Sequence, residues 1–227
     1  MRSYDEQRIC LITCVNDERV YEEACLYFRQ LLLPAGMKLE LLPVRGAASM
    51  ASGYNVAMRQ SDARYKVYLH QDVFLTQRDF LCRMHAIFAA DAGIGMQGLA
   101  GCQALPASGV WWGAARRYGR VYHDYEPESL ELMDFGAVPP PLCEAAAIDG
   151  LLMATQYDLP WREEVFTGWH FYDISQSQEF WRHDLRVVIP AQQEAWCVHA
   201  CGEKDLGEDY WRYRDAFFAL YGNTRRV

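Results

Sequence analysis

Arg8–Val15, RICLITCV, is an almost unbroken apolar run. It is too short to span a membrane and lacks the alternation of a half-solvated strand, so it specifies a strand covered on both faces. The run ends in Asn16-Asp17-Glu18, after which Tyr21, Ala24, Cys25, Phe28, Leu31 and Leu32 recur at helical spacing over Tyr21–Leu33, until Pro34 and Gly36 stop the pattern. Met37–Val44 reads as a less buried strand, and Gly46 with Ala47 marks a turn. Ser49–Gln60 then carries small side chains that let its backbone come close to a neighbour. Tyr65–His70 is a third strand, Thr76–Ala90 a helix capped by Thr76, and Gly93–Leu99 a fourth strand. This alternation calls for an α/β fold with a mostly parallel central sheet and helices on both faces. Ligands of such sheets bind beyond the carboxyl ends of the strands, where Asn16–Glu18, Arg45–Gly46 and His70–Asp72 emerge.

Past Gly101 the period becomes irregular. Leu105–Tyr125 reads as a long loop or short hairpin, and Pro139-Pro140-Pro141 stiffens a second irregular stretch. Ala145–Ala154 is expected as a strand kinked at Asp149-Gly150, Ser175–Asp184 as a helix capped by Ser175, Leu185–Pro190 as an edge strand, and Asp205–Tyr221 as an amphipathic helix. No linker rich in Gly, Ser or charge divides the chain, which predicts one domain.

Charge and cysteine usage narrow the function classes. The net charge is −8 with both signs mixed along the chain, so the basic tracks of a nucleic-acid binder are missing. The eight cysteines lie largely in apolar segments, and Cys10/Cys14 and Cys197/Cys201 lack the two-residue gap of a zinc knuckle or thioredoxin motif. Reduced, buried cysteine in a cytoplasmic protein is the expectation. The polar start MRSYDEQR offers no signal-peptide core, and no stretch reaches bilayer length. GxxxxGK[ST] and GxSxG are absent, which removes the usual support for phosphate-loop and nucleophile-elbow chemistry.

Four places carry chemistry. In Tyr65–Asp72, YKVYLHQD, His70 and Asp72 point the same way if strand geometry persists, as ligands for a divalent cation on phosphate oxygens or as plain turn residues. Asp149 interrupts an apolar run and needs partners, or simply marks a bulge. Glu163–Asp173, EEVFTGWHFYD, combines an aromatic wall with a base and carboxylate in His170 and Asp173, or is aromatic core leading into a helix cap. His199, after AWCV, is a candidate metal ligand only with outside guidance.

Taken together, CVNDE at 14–18, the SGYN–LHQD block, IDG at 148–150 and GWHFYD at 168–173 resemble family-2-type glycosyltransferases. The closest likeness is to a compact group that includes the domain named for a streptomycin-biosynthesis protein. The resemblance covers residues 8–202 and implies a single GT-A-like domain: 8–101 as nucleotide-binding half, 102–204 as acceptor- and metal-completing half, and 205–227 as C-terminal helix. It implies transfer of a sugar from a nucleoside-diphosphate sugar to an acceptor hydroxyl, with Mn²⁺ or Mg²⁺. Asp17 and Glu18 would border nucleobase and ribose, and Asn55 would lie near the nucleotide. His70 and Asp72 occupy the first and last positions of the Asp-x-Asp motif. Asp72 and His199 would be the metal ligands, with His70 on sugar, phosphate or metal. Asp149 would bind a hydroxyl, and Arg116 and Arg117 the diphosphate. Where the family carries a Glu-Asp pair this chain has His170-Phe171, so the base role falls to His170 or Asp173, with Asp173 preferred and His170 orienting the acceptor. These departures leave a degenerate nucleotide- or glycan-binding domain as one alternative, and a nucleotidyltransferase, which also places nucleotide phosphates and a metal over such a sheet, is a second, with oligomeric state open.

Overall fold

The alternation in the first hundred residues folds as β1 (Asp5–Val15), α1 (Glu18–Phe28), β2 (Lys38–Arg45), α2 (Met50–Gln60) and β3 (Ala63–His70) in the computed structural model, which describes residues 3–126, 129–202 and 206–222. β1 pairs in parallel with β2 on one side and β3 on the other, and its residues Ile9–Ile12 are buried on both faces. Right-handed crossovers leading first outward to β2 and then back to β3 put α1 and α2 on opposite faces. α2 lies close against β1: a Cβ at Gly53 would stand 2.5 Å from Cys14 Sγ, so only glycine permits this approach.

β4 (Val73–Leu75), α3 (Phe80–Ala90), β5 (Ile94–Gly98) and β6 (Ala100–Cys102) follow. After the one-turn 3-10 helix Trp111–Gly113 come β7 (Arg117–Glu126), β8 (Ser129–Gly136), β9 (Leu142–Glu144), β10 (Ala147–Ile148), β11 (Leu152–Thr155), α4 (Tyr172–Arg182), β12 (Arg186–Pro190), β13 (Cys197–His199) and α5 (Gly207–Tyr221). The large sheet runs β2-β1-β3-β11-β5-β12-β9. β11 enters it antiparallel between β3 and β5, and β9 is antiparallel at its edge, while β2, β1, β3, β5 and β12 share one direction, so the sheet is mixed with its strands mostly parallel. A second sheet, β10-β6-β7-β13-β4 with β8 on β7, was not foreseen. The chain passes between sheets at Leu99 and again at Asp149–Leu151, so the expected kink at Asp149-Gly150 is a change of sheet.

Several boundaries move for tertiary reasons. α1 starts early because Asp17 accepts from the amides of Arg19 and Val20, and it stops at Phe28; Leu32 N donates instead to Arg78 O at 2.8 Å. Thr76 caps nothing: its amide and that of Gln77 donate to Trp196 O, while Val73–Leu75 pairs with β13. Ser175 lies inside α4 and bonds Tyr221 Oη at 2.8 Å. β12 is not an edge, because β9 flanks it. Asp205 and residues 223–227 of the expected final segment lie outside the described residues.

Candidate active site

Strand alternation in β3 turns Lys66, Tyr68 and His70 to one face, in register with Cys10, Ile12 and Cys14 of β1. On that face Tyr54, Tyr68, Trp161 and Tyr172 pack ring against ring, with centroid separations from 4.9 to 6.2 Å. The cluster holds Tyr172 so that its hydroxyl meets His70 Nε2 at 2.5 Å. β3 ends at His70, so Asp72 is delivered by a turn, not by persisting strand geometry. Its Oδ1 still lies 4.0 Å from His70 Nδ1 and 3.5 Å from His199 Nε2. His70 Nδ1 and His199 Nε2 are 3.3 Å apart. One donor atom from each of His70, Asp72 and His199 fits within 4.8 Å of the others, a spacing and donor set suited to one divalent cation.

A second polar group faces the same space. Asp149 accepts from Trp111 Nε1 at 3.0 Å and from Leu151 N at 2.8 Å, while Asp173 accepts from Gly150 N at 2.9 Å. Any Cβ at Gly150 would overlap the Tyr172 hydroxyl, so glycine is needed where α4 meets this turn. Phe171, just before α4, holds φ 61°, a costly conformation for a bulky residue; its buried ring is fixed against Tyr210 and Phe217. Burial, then the nearby charge of Asp149, pushes the Asp173 carboxyl up to about 7. Burial alone would depress His199, but its bonds with Asp72 and Cys201 outweigh that and raise it to about 10. Cys201 is pulled down to about 6, against burial, by His123 and His199.

These groups line one cavity of about 750 Å³. His70, Asp72, Asp149, His170, Asp173 and His199 all reach it, with Trp112, Trp169 and Tyr210 as aromatic wall. Its described lining contains three aspartates and no lysine or arginine. The remaining expected residues do not line it. Asp17 caps α1, and Glu18 holds Arg45 with Nε–Oε1 at 2.6 Å. Asn55 is buried and bonds the main chain of Trp161 in both directions at 2.9 Å. Arg116 donates to Gln103 Oε1, and Arg117 to the Trp112 carbonyl.

Sequence reasoning passed over Gln71, whose Oε1 accepts from the amides of Asn16 and Asp17 and ties the end of β3 to the β1–α1 loop. Its place inside HQD was the available signal. Trp111 as the partner of Asp149, and His123 beside Cys201, had no local signal.

The model of the family described as glycosyltransferase-like matches residues 10–221, nearly the whole chain. The chain belongs to that family. No curated protein matches it by sequence. Among solved structures, the glycosyltransferase-like chain is similar to Staphylococcus aureus TarS residues 1–349 in complex with UDP, with a TM-score of 0.60, 8% identity, 96% of this chain covered and 66% of the other. It is similar also to mannosyltransferase PcManGT from Pyrobaculum calidifontis in complex with GDP-Man and Mn²⁺, with a TM-score of 0.60, 13% identity, and 100% and 67% coverage. These likenesses show a shared GT-A-type α/β fold. The chain spans only 40% of the longer TarS structure.

Proposed function

We propose that this family member transfers a sugar from a nucleoside-diphosphate sugar to an acceptor hydroxyl at the cavity beyond β1 and β3. The observation that carries the reading is convergence: the His70–Asp72–His199 donor set and the Asp149/Asp173 pair open onto the same space. Among the described residues the lining offers three aspartates and no lysine or arginine, so a bound cation is the countercharge we propose for the diphosphate, which makes cation dependence part of the reading. His70, Asp72 and His199 would hold Mn²⁺ or Mg²⁺, which supplies charge against the leaving diphosphate. Tyr172 fixes the ring of His70 through its hydroxyl, and Gln71 holds the loop that begins at Asn16, a cavity-lining residue.

Asp173 is the proposed base. A carboxyl raised to about 7 is half ionised near neutrality and strong enough to take a proton from an attacking hydroxyl. Asp149 anchors the turn beside it and raises its basicity, and His170, packed edge-on against Tyr210 at 5.4 Å, orients the acceptor at the rim. Trp112, Trp169 and Tyr210 offer apolar faces on which a sugar ring can stack. The nucleotide half at 8–101, the completing half at 102–204 and membership of the compact streptomycin-type group belong to the same proposal. So does a reducing, cytoplasmic setting, in keeping with eight free cysteines. Among the described residues no helix is long and apolar enough to cross a membrane.

Titration calorimetry with UDP- and GDP-sugars, with and without Mn²⁺, tests the reading. Binding that requires the cation is expected; no binding of any nucleotide sugar in either condition sinks it. Product formation with an acceptor panel then separates a transferase from a binding domain.

A further inference from the structure

β13 runs parallel to β7 in a register that sets His199 directly beside His123, their rings 5.3 Å apart. Two residues beyond β13, Cys201 brings its Sγ to 3.7 Å from His123 Nδ1. One donor atom from each of His123, His199 and Cys201 lies within 4.8 Å of the other two. Across a tetrahedral zinc ion with ordinary Zn–S and Zn–N bonds, sulfur and nitrogen stand about 3.6 Å apart. The observed 3.7 Å therefore needs almost no rearrangement. The spacing of Cys197 and Cys201 excludes a zinc knuckle, and Cys197 is fully buried; the companions of Cys201 come from the two paired strands instead.

We propose that His123, His199 and Cys201 form a zinc site that shares His199 with the His70–Asp72–His199 set, so that zinc and the hard cation exclude one another. The donor chemistry separates the two lobes. Thiolate with two imidazoles selects a borderline-soft ion such as Zn²⁺, while the lobe containing Asp72 accepts Mn²⁺ or Mg²⁺. A neutral imidazole presents one lone pair, so His199 serves one ion at a time. Cys201 ligates as thiolate and both imidazoles as neutral rings, so the protons these groups hold, that of His199 included, go to solvent, and a fourth coordination position is left for water. Zinc capture by the thiolate lobe stands by itself; the antagonism rests on the proposed hard-cation site.

Two measurements on the full chain separate these parts. Co²⁺ added as a zinc surrogate is expected to give a thiolate-to-cobalt charge-transfer band that Cys201→Ser abolishes and His123→Gln weakens, with circular dichroism confirming that both variants fold. Absence of the band in the parent protein overturns the zinc site. In the second, bound Mn²⁺ is followed by electron paramagnetic resonance while zinc is added. One equivalent is expected to release Mn²⁺ from the parent, and Cys201→Ser to need roughly tenfold more, the scale of losing a metal-site partner. Equal zinc sensitivity in both overturns the antagonism. Failure of Mn²⁺ to bind either protein counts against the transferase reading, while the cobalt band still decides the zinc site.

Discussion

Asp17, Glu18 and Asn55, on the β1–α1–α2 side of the molecule, are each engaged by internal partners: a helix N-terminus, Arg45, and the main chain of Trp161. His70, Asp72, Asp149, Asp173 and His199 instead bring their polar atoms together at one cavity, where burial and neighbouring groups displace the proton affinities of Asp173 and His199. Lys66 and Asp158 show a third outcome on the face that carries His70. The lysine is wholly buried, and its Nζ donates to Ala63 O at 2.6 Å and Asp158 Oδ1 at 2.8 Å, closing an ion pair with no access to the ligand side. A polar residue in an apolar strand is thus no sign of chemistry until its partners are known. The informative difference is between groups whose neighbours satisfy them and groups whose neighbours, like Asp149 beside Asp173, work against their ionisation.

Substitutions sharpen that contrast. Asp173→Asn is expected to lower nucleotide-sugar turnover by about 10²–10⁴-fold, the usual worth of a general base, with the fold retained by circular dichroism; normal initial rates would remove Asp173 from the mechanism. Lys66→Met should do the opposite, costing about 3–5 kcal/mol in urea unfolding because it leaves Asp158 nearly buried without its partner. Donor affinity of the folded variant should hold.

Turnover should rise with pH and level off above about 7, as Asp173 loses its proton, and Asp149→Asn should move that inflection lower by removing a charge that opposes ionisation. Stability carries the reverse sign. The folded chain holds this proton up to about 7, whereas an unfolded aspartate releases it near about 4. Within that window the folded state binds more protons, so the Asp173 contribution falls as pH rises. Unfolding midpoints at several pH values, compared with Asp173→Asn, isolate it.

The satisfied side should answer only in stability. Asn55→Ala is expected to cost about 1–3 kcal/mol by stranding the Trp161 amide and carbonyl, and Asp17→Ala about 1 kcal/mol through loss of the cap. Calorimetric donor affinity unchanged in both would keep these residues out of the site; a clear loss at Asn55 would return it to nucleotide binding.

Much of the first half was legible because RICLITCV and YKVYLH are long enough to show their burial, and Val15 and His70 end strands where parallel sheets bind ligands. The second half was not. β10 has two residues, and β4 and β13 three each, too few to display a period, and their partners are remote in sequence. Thr76–Gln77 reads as a helix start, yet Trp196 takes both amides. Ser175 reads as a cap, yet the backbone turns into α4 at Phe171.

By itself, then, the sequence determined the β-α alternation, the strands that emerge at the binding edge, and the placement of His70 and Asp72 there. Tertiary structure alone decided that His199 completes their donor set, that Asp149 sits against Asp173, that Asn55 is consumed by Trp161, and that His123 and Cys201 meet beside His199. The physical reason is that local periodicity reports which side of an element is covered. Which polar atoms then meet depends on strand register and sheet crossings between residues as far apart as 70 and 199.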